Sequence, residues 1–82
     1  MSPLERAISI CGGVTALASA IGVASSAPSM WKSRRKVPAE HCPAIERETR
    51  RRGHAVTCEE LRPDVAWDVL RHQAAPLHHE AA

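Results

Sequence analysis

Apolar side chains recur at every third or fourth position in the first part of the chain, which is the spacing of one face of an α-helix. The first such stripe consists of Leu4, Ala7, Ile8 and Cys11. Ser2 is suited to cap a helix here, with Pro3 in its first turn and Gly12 at its end. A second helix is predicted from about Val14 to Ile21, where Gly22 stops it.

Four further helical segments are predicted downstream. They run from Ser25 or Ser26 to Lys32, from Pro38 to Arg51 with a start or kink at Pro43, from Thr57 to Leu61 and from Asp64 to Arg71. A basic loop is predicted over Ser33 to Val37. Thr57 and Glu60 match a capping box, and Asp64 is expected to cap the last helix. Residues 72–82 lack periodicity, so we predict one domain over residues 1–71 followed by a flexible tail.

Composition favours a small all-α domain. The 82 residues contain no Phe and no Tyr, so that only Trp31 and Trp67 provide aromatic bulk. A core built otherwise from Ala, Val, Ile and Leu favours helices over a β-sandwich or barrel. A core this small also leaves little room for the buried pocket of an enzyme. We therefore predict a helical binding module and not an enzyme.

The stretch from Val14 to Lys32 has the pattern of a helix-turn-helix unit, in which two short helices cross at a tight turn. Ala18 is small enough for the second helix to cross over the first, and Gly22 tolerates the positive φ of the turn. The side chains expected to fix the interhelical angle are Leu17, Ile21, Val23 and Trp31. In such a unit the second helix presents its N-terminal residues to the major groove of DNA.

Longer strings of residues carry a family resemblance. They include Leu4-Glu5-Arg6-Ala7, Ala16-Leu17-Ala18, Ile21-Gly22-Val23, Ser29-Met30-Trp31, Val37-Pro38-Ala39-Glu40, Cys42-Pro43-Ala44-Ile45-Glu46-Arg47 and Cys58-Glu59-Glu60-Leu61-Arg62-Pro63-Asp64. Through them, over about residues 3 to 71, the chain resembles Cro-like phage and prophage regulators of the YdaS type, sometimes classed as antitoxins. The resemblance implies a five-helix, lambda-repressor-like DNA-binding domain that acts in transcription.

Positive charge is concentrated in one part of the chain. The formal net charge is +2, but eight basic and three acidic residues between Trp31 and Arg52 give that segment +5, and the remainder sums to −3. Duplex DNA suits such a segment, because affinity grows with the number of phosphates that the protein neutralises. The alternative is a solvated basic surface with no partner.

Nine residues are predicted to contact DNA. Five belong to the exposed side of the second helix of the unit, namely Ser25, Ser26, Ala27, Ser29 and Met30. Four are cations at and beyond its end, namely Lys32, Arg34, Arg35 and Lys36, and these are expected to bind phosphates. Pro28 and Trp31 are expected to turn toward the core, with Pro28 in place of the branched aliphatic residue usual in such units. Hydroxyls and a thioether read bases less sharply than Gln, Asn or Arg.

Cysteine and histidine allow two other hypotheses. A zinc site would use Cys42, His54 and Cys58 with His41 or His72, but the tight C-x2-C spacing of structural zinc sites is missing. A Cys42 nucleophile beside a histidine would have no oxyanion loop and no third orienting group. We therefore expect no metal, no cofactor and no catalytic residue, with Cys42 and Cys58 as small apolar core residues.

A targeting segment is a further alternative, because residues 7–30 carry no charge and residues 24–27 look like a cleavage site. Glu5 spoils the positive start of a signal peptide, and Gly12-Gly13 interrupts the apolar run. Three widely spaced cysteines fit a reducing cytosol better than a disulfide scaffold. We expect a cytoplasmic protein that is associated with the nucleoid and has no membrane partner.

Two functional hypotheses follow. The first is a transcriptional regulator that binds a palindromic operator in double-stranded DNA as a homodimer or a higher homo-oligomer. The second is an antitoxin that holds a partner toxin through its C-terminal half and represses its own operon. Trp67 is predicted to lie either in the core or at a dimer interface.

Overall fold

The computed structural model describes residues 2–70, which contain helices and no strand. The α-helices are α1 (Pro3–Cys11), α2 (Val14–Ile21), α3 (Ala27–Arg34), α4 (Cys42–Arg51) and α5 (Cys58–Leu61), with a 3-10 helix (Ala39–His41) before α4. Residues 67–70 are also helical. The predicted all-α class is confirmed, whereas the predicted tail over residues 72–82 lies outside the described residues.

The ends of α1 follow the sequence signals. Ser2 Oγ accepts a hydrogen bond from the N–H of Glu5 at 3.2 Å, and the Glu5 carboxylate accepts one from the N–H of Ser2 at 3.0 Å. This reciprocal capping box satisfies two N–H groups that the helix leaves without acceptors. Gly12 ends α1 in the left-handed conformation with a φ of 98°, and α2 then leaves at an angle of 86° to α1.

Eleven buried apolar residues from every α-helix form a single core. They are Leu4, Ala7, Cys11, Leu17, Trp31, Val37, Cys42, Ile45, Val56, Cys58 and Trp67. Trp67 is 6% exposed and its indole N–H donates to the carbonyl oxygen of Arg62 at 2.9 Å, so it is a core residue of the chain. A buried indole retains its stabilising effect only where its N–H has an acceptor.

Polar groups inside the fold join α4 to the segment that follows it. The Thr49 hydroxyl is fully buried, donates to the carbonyl oxygen of Glu46 at 2.9 Å and accepts from the N–H of Val56 at 3.2 Å. The Glu46 carboxylate accepts from the N–H of Cys58 at 2.8 Å, at the first residue of α5. These bonds fix where α5 starts relative to α4, because a buried polar group left without a partner would be costly.

The predicted start or kink at Pro43 is confirmed. The segment from Pro38 to Arg51 is divided into the 3-10 helix and α4, and Pro43 occupies the first turn of α4, where its missing N–H costs nothing. The helix predicted from Asp64 begins instead at residue 67. Asp64 does not cap it, because the carboxylate of Asp64 is bound by Arg62.

Arg62 holds two segments of the chain together. Its guanidinium donates to both carboxylate oxygens of Asp64, at 2.9 and 2.8 Å, and to the carbonyl oxygen of Val37 at 2.9 Å. The bidentate hydrogen bond to Arg62 lowers the pKa of Asp64 to about 2. The ionised pair therefore ties the segment after α5 to the segment after α3.

Acid is expected to weaken this tie in a defined range. Because folding lowers the pKa of Asp64 from 3.8 to about 2, the stabilisation is complete above about pH 4 and is lost as the pH falls through 2. Thermal melts between pH 5 and pH 2 should therefore show a shallower loss of stability in Asp64→Asn than in the wild type. Asp68→Asn is the matched control at an exposed position outside the Arg62 contacts. If Asp64→Asn and the wild type lose stability in parallel, the pair has no such role.

Within residues 2–70 no single helix is long and apolar enough to cross a membrane; α1 and α2 meet that test of length and composition only as a bent pair.

Candidate nucleic-acid interface

The turn between α2 and α3 has the geometry that the helix-turn-helix prediction requires. Gly22 adopts a φ of 78°, and the N–H groups of Gly22 and Val23 both donate to the carbonyl oxygen of Ala18, at 2.9 and 3.0 Å. Ala18 itself is 1% exposed. The predicted role of Gly22 is confirmed, since a left-handed glycine closes α2, and the small residue predicted at position 18 is buried beside the turn.

The rotation of α3 about its axis is the predicted one for Pro28 and Trp31, which are buried, and for Ser25, Ser26, Ser29 and Met30, which are exposed. The prediction is wrong for Ala27, which is half-buried against the core because it lies four residues before Trp31, on the same side of the helix. Met30 leaves 46% of its surface in solvent, which is unusual for a large apolar side chain. The exposed side of α3 therefore carries hydroxyls and one thioether. Contact of these residues with DNA stays a prediction.

The start of α3 differs from the prediction in one respect. Ser26 occupies the N-cap position, but its backbone is helical and its side chain makes no capping hydrogen bond. The N–H of Ala27 instead bonds to the carbonyl oxygen of Ala24 at 2.9 Å, which closes the preceding turn. The Ser26 hydroxyl is consequently not used by the helix and is exposed at its N-terminal end.

The buried side of α3 is anchored by an aromatic stack. The indole of Trp31 lies against the imidazole of His41, with ring centroids 5.3 Å apart and planes inclined by 25°. His41 belongs to the 3-10 helix that precedes α4. Stacking of this kind adds about 0.5–1.5 kcal/mol to the burial of the indole. The stack connects the helix proposed to meet DNA to the second half of the domain.

The C-terminal end of α3 is closed by a left-handed residue and a backbone hydrogen bond. The helix extends through Ser33 and Arg34, so the loop predicted over residues 33–37 begins later than expected. Arg35 adopts the left-handed conformation with a φ of 57°, and the N–H of Lys36 returns to the carbonyl oxygen of Trp31 at 3.0 Å. Among residues 2–70 Arg35 is the only non-glycine residue with a positive φ. That conformation costs an L-residue about 1–2 kcal/mol.

Ion pairs divide the basic segment into two parts. On α4, Arg50 pairs with Glu46 at 3.0 Å, and Glu48 pairs with Arg51 at 2.9 Å and Arg52 at 3.9 Å. In contrast, none of the cations Lys32, Arg34, Arg35 and Lys36 forms an ion pair within the described part of the chain. Arg47 on α4 also forms no ion pair among residues 2–70, so four of the five unpaired basic residues lie at the end of α3. The spacing of three and four residues on α4 was the sequence signal for this division.

Comparison with known proteins then identifies the family. The family model described as "Bacterial toxin YdaS" matches residues 4–70. The chain belongs to the YdaS family. It is 46% identical over 71 residues to the Escherichia coli (strain K12) protein named "Putative transcriptional regulator YdaS", covering 85% of this chain and 69% of that protein.

A solved structure agrees with the fold of this YdaS-family chain. The Cro protein from the prophage element Xfaso 1 of Xylella fastidiosa strain Ann-1 is 49% identical and superposes with a TM-score of 0.71, covering 79% of this chain and 95% of that one. The family description names a toxin, whereas these two proteins are named as a regulator and a Cro protein. None of the three descriptions names an antitoxin, so that alternative stays a hypothesis.

The thiols of this YdaS-family chain are poorly placed for catalysis. Cys11, Cys42 and Cys58 are all buried, and burial raises the pKa of the Cys42 thiol to about 11. Such a thiol is almost wholly protonated at neutral pH, whereas the nucleophile in cysteine catalysis is the thiolate. Within residues 2–70 no three His, Cys, Asp or Glu side chains are grouped closely enough to hold a metal ion.

Proposed function

We propose that this YdaS-family chain is a DNA-binding transcriptional regulator that places α3 in the major groove. The observation that carries the proposal is the combination of a helix-turn-helix with four cations at the end of its second helix that form no ion pair within residues 2–70. An exposed surface of hydroxyls and a thioether has donors, acceptors and an apolar contact for base edges, and the cations beside it suit phosphates. The names of the two similar proteins support the same function.

We further propose that two copies bind a palindromic operator. The eight residues of α3 span roughly 12 Å, which reaches only a few base pairs. Two such helices about 34 Å apart would enter successive major grooves on one side of the duplex. A homodimer supplies this arrangement, whereas a monomer reads too little sequence for specificity. Since the DNA target lies in the nucleoid, the proposed site of action is cytoplasmic.

The test is a titration of the protein against duplex DNA from upstream of its own gene, followed by fluorescence anisotropy. We expect saturable binding with two protein chains per site, and an affinity that falls steeply as salt rises. A scrambled duplex of the same length and composition is the control for specificity. Absence of any salt-dependent binding to DNA would overturn the proposal.

Met30 is expected to influence which operator is preferred. Its exposed thioether is suited to an apolar contact with the methyl group of thymine. Sites selected from random duplexes by the wild type should contain a thymine whose replacement by deoxyuridine weakens binding about fourfold, the effect of one buried methyl group. Met30→Ala should lose this response while it still binds DNA. Identical responses of both proteins to deoxyuridine would contradict the assignment.

The second candidate function is that of an antitoxin or another module that holds a partner protein. The observation in its favour is the toxin named in the family description. A gene for a small toxin beside this one, together with rescue of growth when both are expressed, would support it. Growth arrest on expression of this chain alone would instead point to a toxin and contradict the antitoxin function.

A further inference from the structure

A cleft of about 470 Å³ separates the first turn of α1 from the end of α3. One wall is formed by residues 2–5, and the other carries the cations Lys32, Arg35 and Lys36. Leu4, Val37 and Leu61 supply the apolar part of the lining. Ser26, Ser29 and Met30 are not part of it, so the cleft is distinct from the surface proposed to read bases.

Positive charge dominates the cleft. The three cations have no ion pair among residues 2–70, and the lining contains one carboxylate, that of Glu5. Its hydrogen bond from the N–H of Ser2 lowers the pKa of Glu5, so this carboxylate is ionised and offsets one of the three positive charges. The N-terminal turn of α1 adds the partial positive charge of a helix dipole.

The backbone also directs a cation to this place. Arg35 adopts the left-handed conformation at the end of α3, where the chain turns toward Val37. Both Arg35 and Val37 line the cleft. Sparsely populated backbone conformations of non-glycine residues concentrate at ligand sites, because the cost of the conformation is tolerated where the side chain is needed. Arg34, one residue earlier, is exposed and does not line the cleft.

We propose that this cleft binds a phosphate group, with the cations around the phosphate oxygens and the adjoining part of the ligand on the apolar lining. The phosphate belongs either to the DNA backbone or to a soluble phosphorylated compound such as a nucleotide. In the first case the site deepens the proposed function, because it adds a backbone contact beside the recognition helix. In the second case it is a separate ligand site at the edge of that helix.

The experiment is a titration of the full chain with pyrophosphate at constant ionic strength, followed by amide chemical shifts. We expect saturable shifts of Leu4, Glu5 and Val37. Lys36→Gln should weaken the binding of pyrophosphate about fivefold or more, since one charge-assisted contact is lost. Arg47→Gln removes the same charge from an exposed position on α4 that does not line the cleft, and should change the affinity less than twofold. Equal weakening by both variants would overturn the proposal, because it would indicate diffuse attraction.

A second titration in saturating duplex DNA separates the two sources. If DNA shifts the same three amides and excludes pyrophosphate, the cleft holds a backbone phosphate. If pyrophosphate still shifts them in the DNA complex, the cleft holds a soluble phosphate compound. If neither pyrophosphate nor DNA shifts these amides, the proposal is wrong, even where anisotropy shows that the protein binds DNA. Conversely, binding of pyrophosphate without any binding of DNA would overturn the proposed function alone.

Discussion

Trp31→Ala is expected to destabilise the domain by about 3–5 kcal/mol, because it removes a side chain that is only 7% exposed and leaves a cavity. Its stack on His41 is lost as well. Small domains have about 5–15 kcal/mol of stability in total, so the variant should melt tens of degrees lower and lose DNA binding through unfolding. Circular dichroism melts give the measurement, since they do not depend on the indole that is removed.

Met30→Ala is the matched control on the same helix. Because Met30 is exposed and outside the buried side of α3, its truncation should change the melting temperature by no more than about 4 °C. Trp31→Phe should recover part of the stability that Trp31→Ala loses, since an aromatic ring again fills the site. If Met30→Ala melts far lower and Trp31→Ala does not, the assigned orientation of α3 is wrong.

The double variant Arg34→Ala, Arg35→Ala is expected to weaken binding to all duplex sequences alike and to flatten its dependence on salt. Each phosphate contact contributes about 0.9 to the slope of log affinity against log salt, so two lost contacts should reduce the slope by about 1.8. Between 50 and 200 mM salt the wild type should then lose about 12-fold more affinity than the variant loses. Anisotropy titrations at four salt concentrations measure both slopes.

A second double variant, Arg50→Ala, Arg51→Ala, removes the same net charge from α4. Both guanidiniums already neutralise carboxylates of their own helix, those of Glu46 and Glu48. The slope of the salt dependence should therefore stay close to that of the wild type. An equal flattening in both double variants would mean that total charge, and not its place at the end of α3, determines binding to DNA.

Local signals were sufficient to predict most of the helices. The predicted cap at Ser2 and the predicted capping box at Thr57 act within four residues, and both are present. Gly12 and Gly22 end their helices because each adopts a positive φ that other residues avoid. The spacing of Pro28 and Trp31 predicted the rotation of α3, because residues three apart along a helix lie on the same side.

Contacts between distant residues escaped prediction. Nothing near Trp31 indicates that His41 will stack on it, because the two rings meet only once the chain has turned back. The position of Asp64 in the sequence is typical of a helix cap, but its carboxylate instead accepts two hydrogen bonds from the guanidinium of Arg62. The cleft between α1 and α3 was likewise missed, since its two walls are far apart in sequence.

The exposure of most candidate residues was predicted, but the ion pairs of the basic segment were not. Sequence counts placed eight basic residues in one segment and treated them alike. In the folded chain Arg50, Arg51 and Arg52 pair with Glu46 and Glu48. Among residues 2–70 this leaves Arg47 and the four cations at the end of α3 without an ion pair. The operator sequence stays beyond prediction, because serine hydroxyls can donate to or accept from several different bases.

At Arg35, which adopts a left-handed backbone conformation, the residue that is best for thermal stability differs from the residue that is best for binding phosphate. Glycine would adopt a φ of 57° without steric cost, so Arg35→Gly would relieve the folded state of an unfavourable conformation. The same change would delete a cation from the proposed phosphate cleft. A laboratory selection for thermal tolerance alone would therefore favour glycine at this position, and a selection for occupancy of the operator would restore arginine.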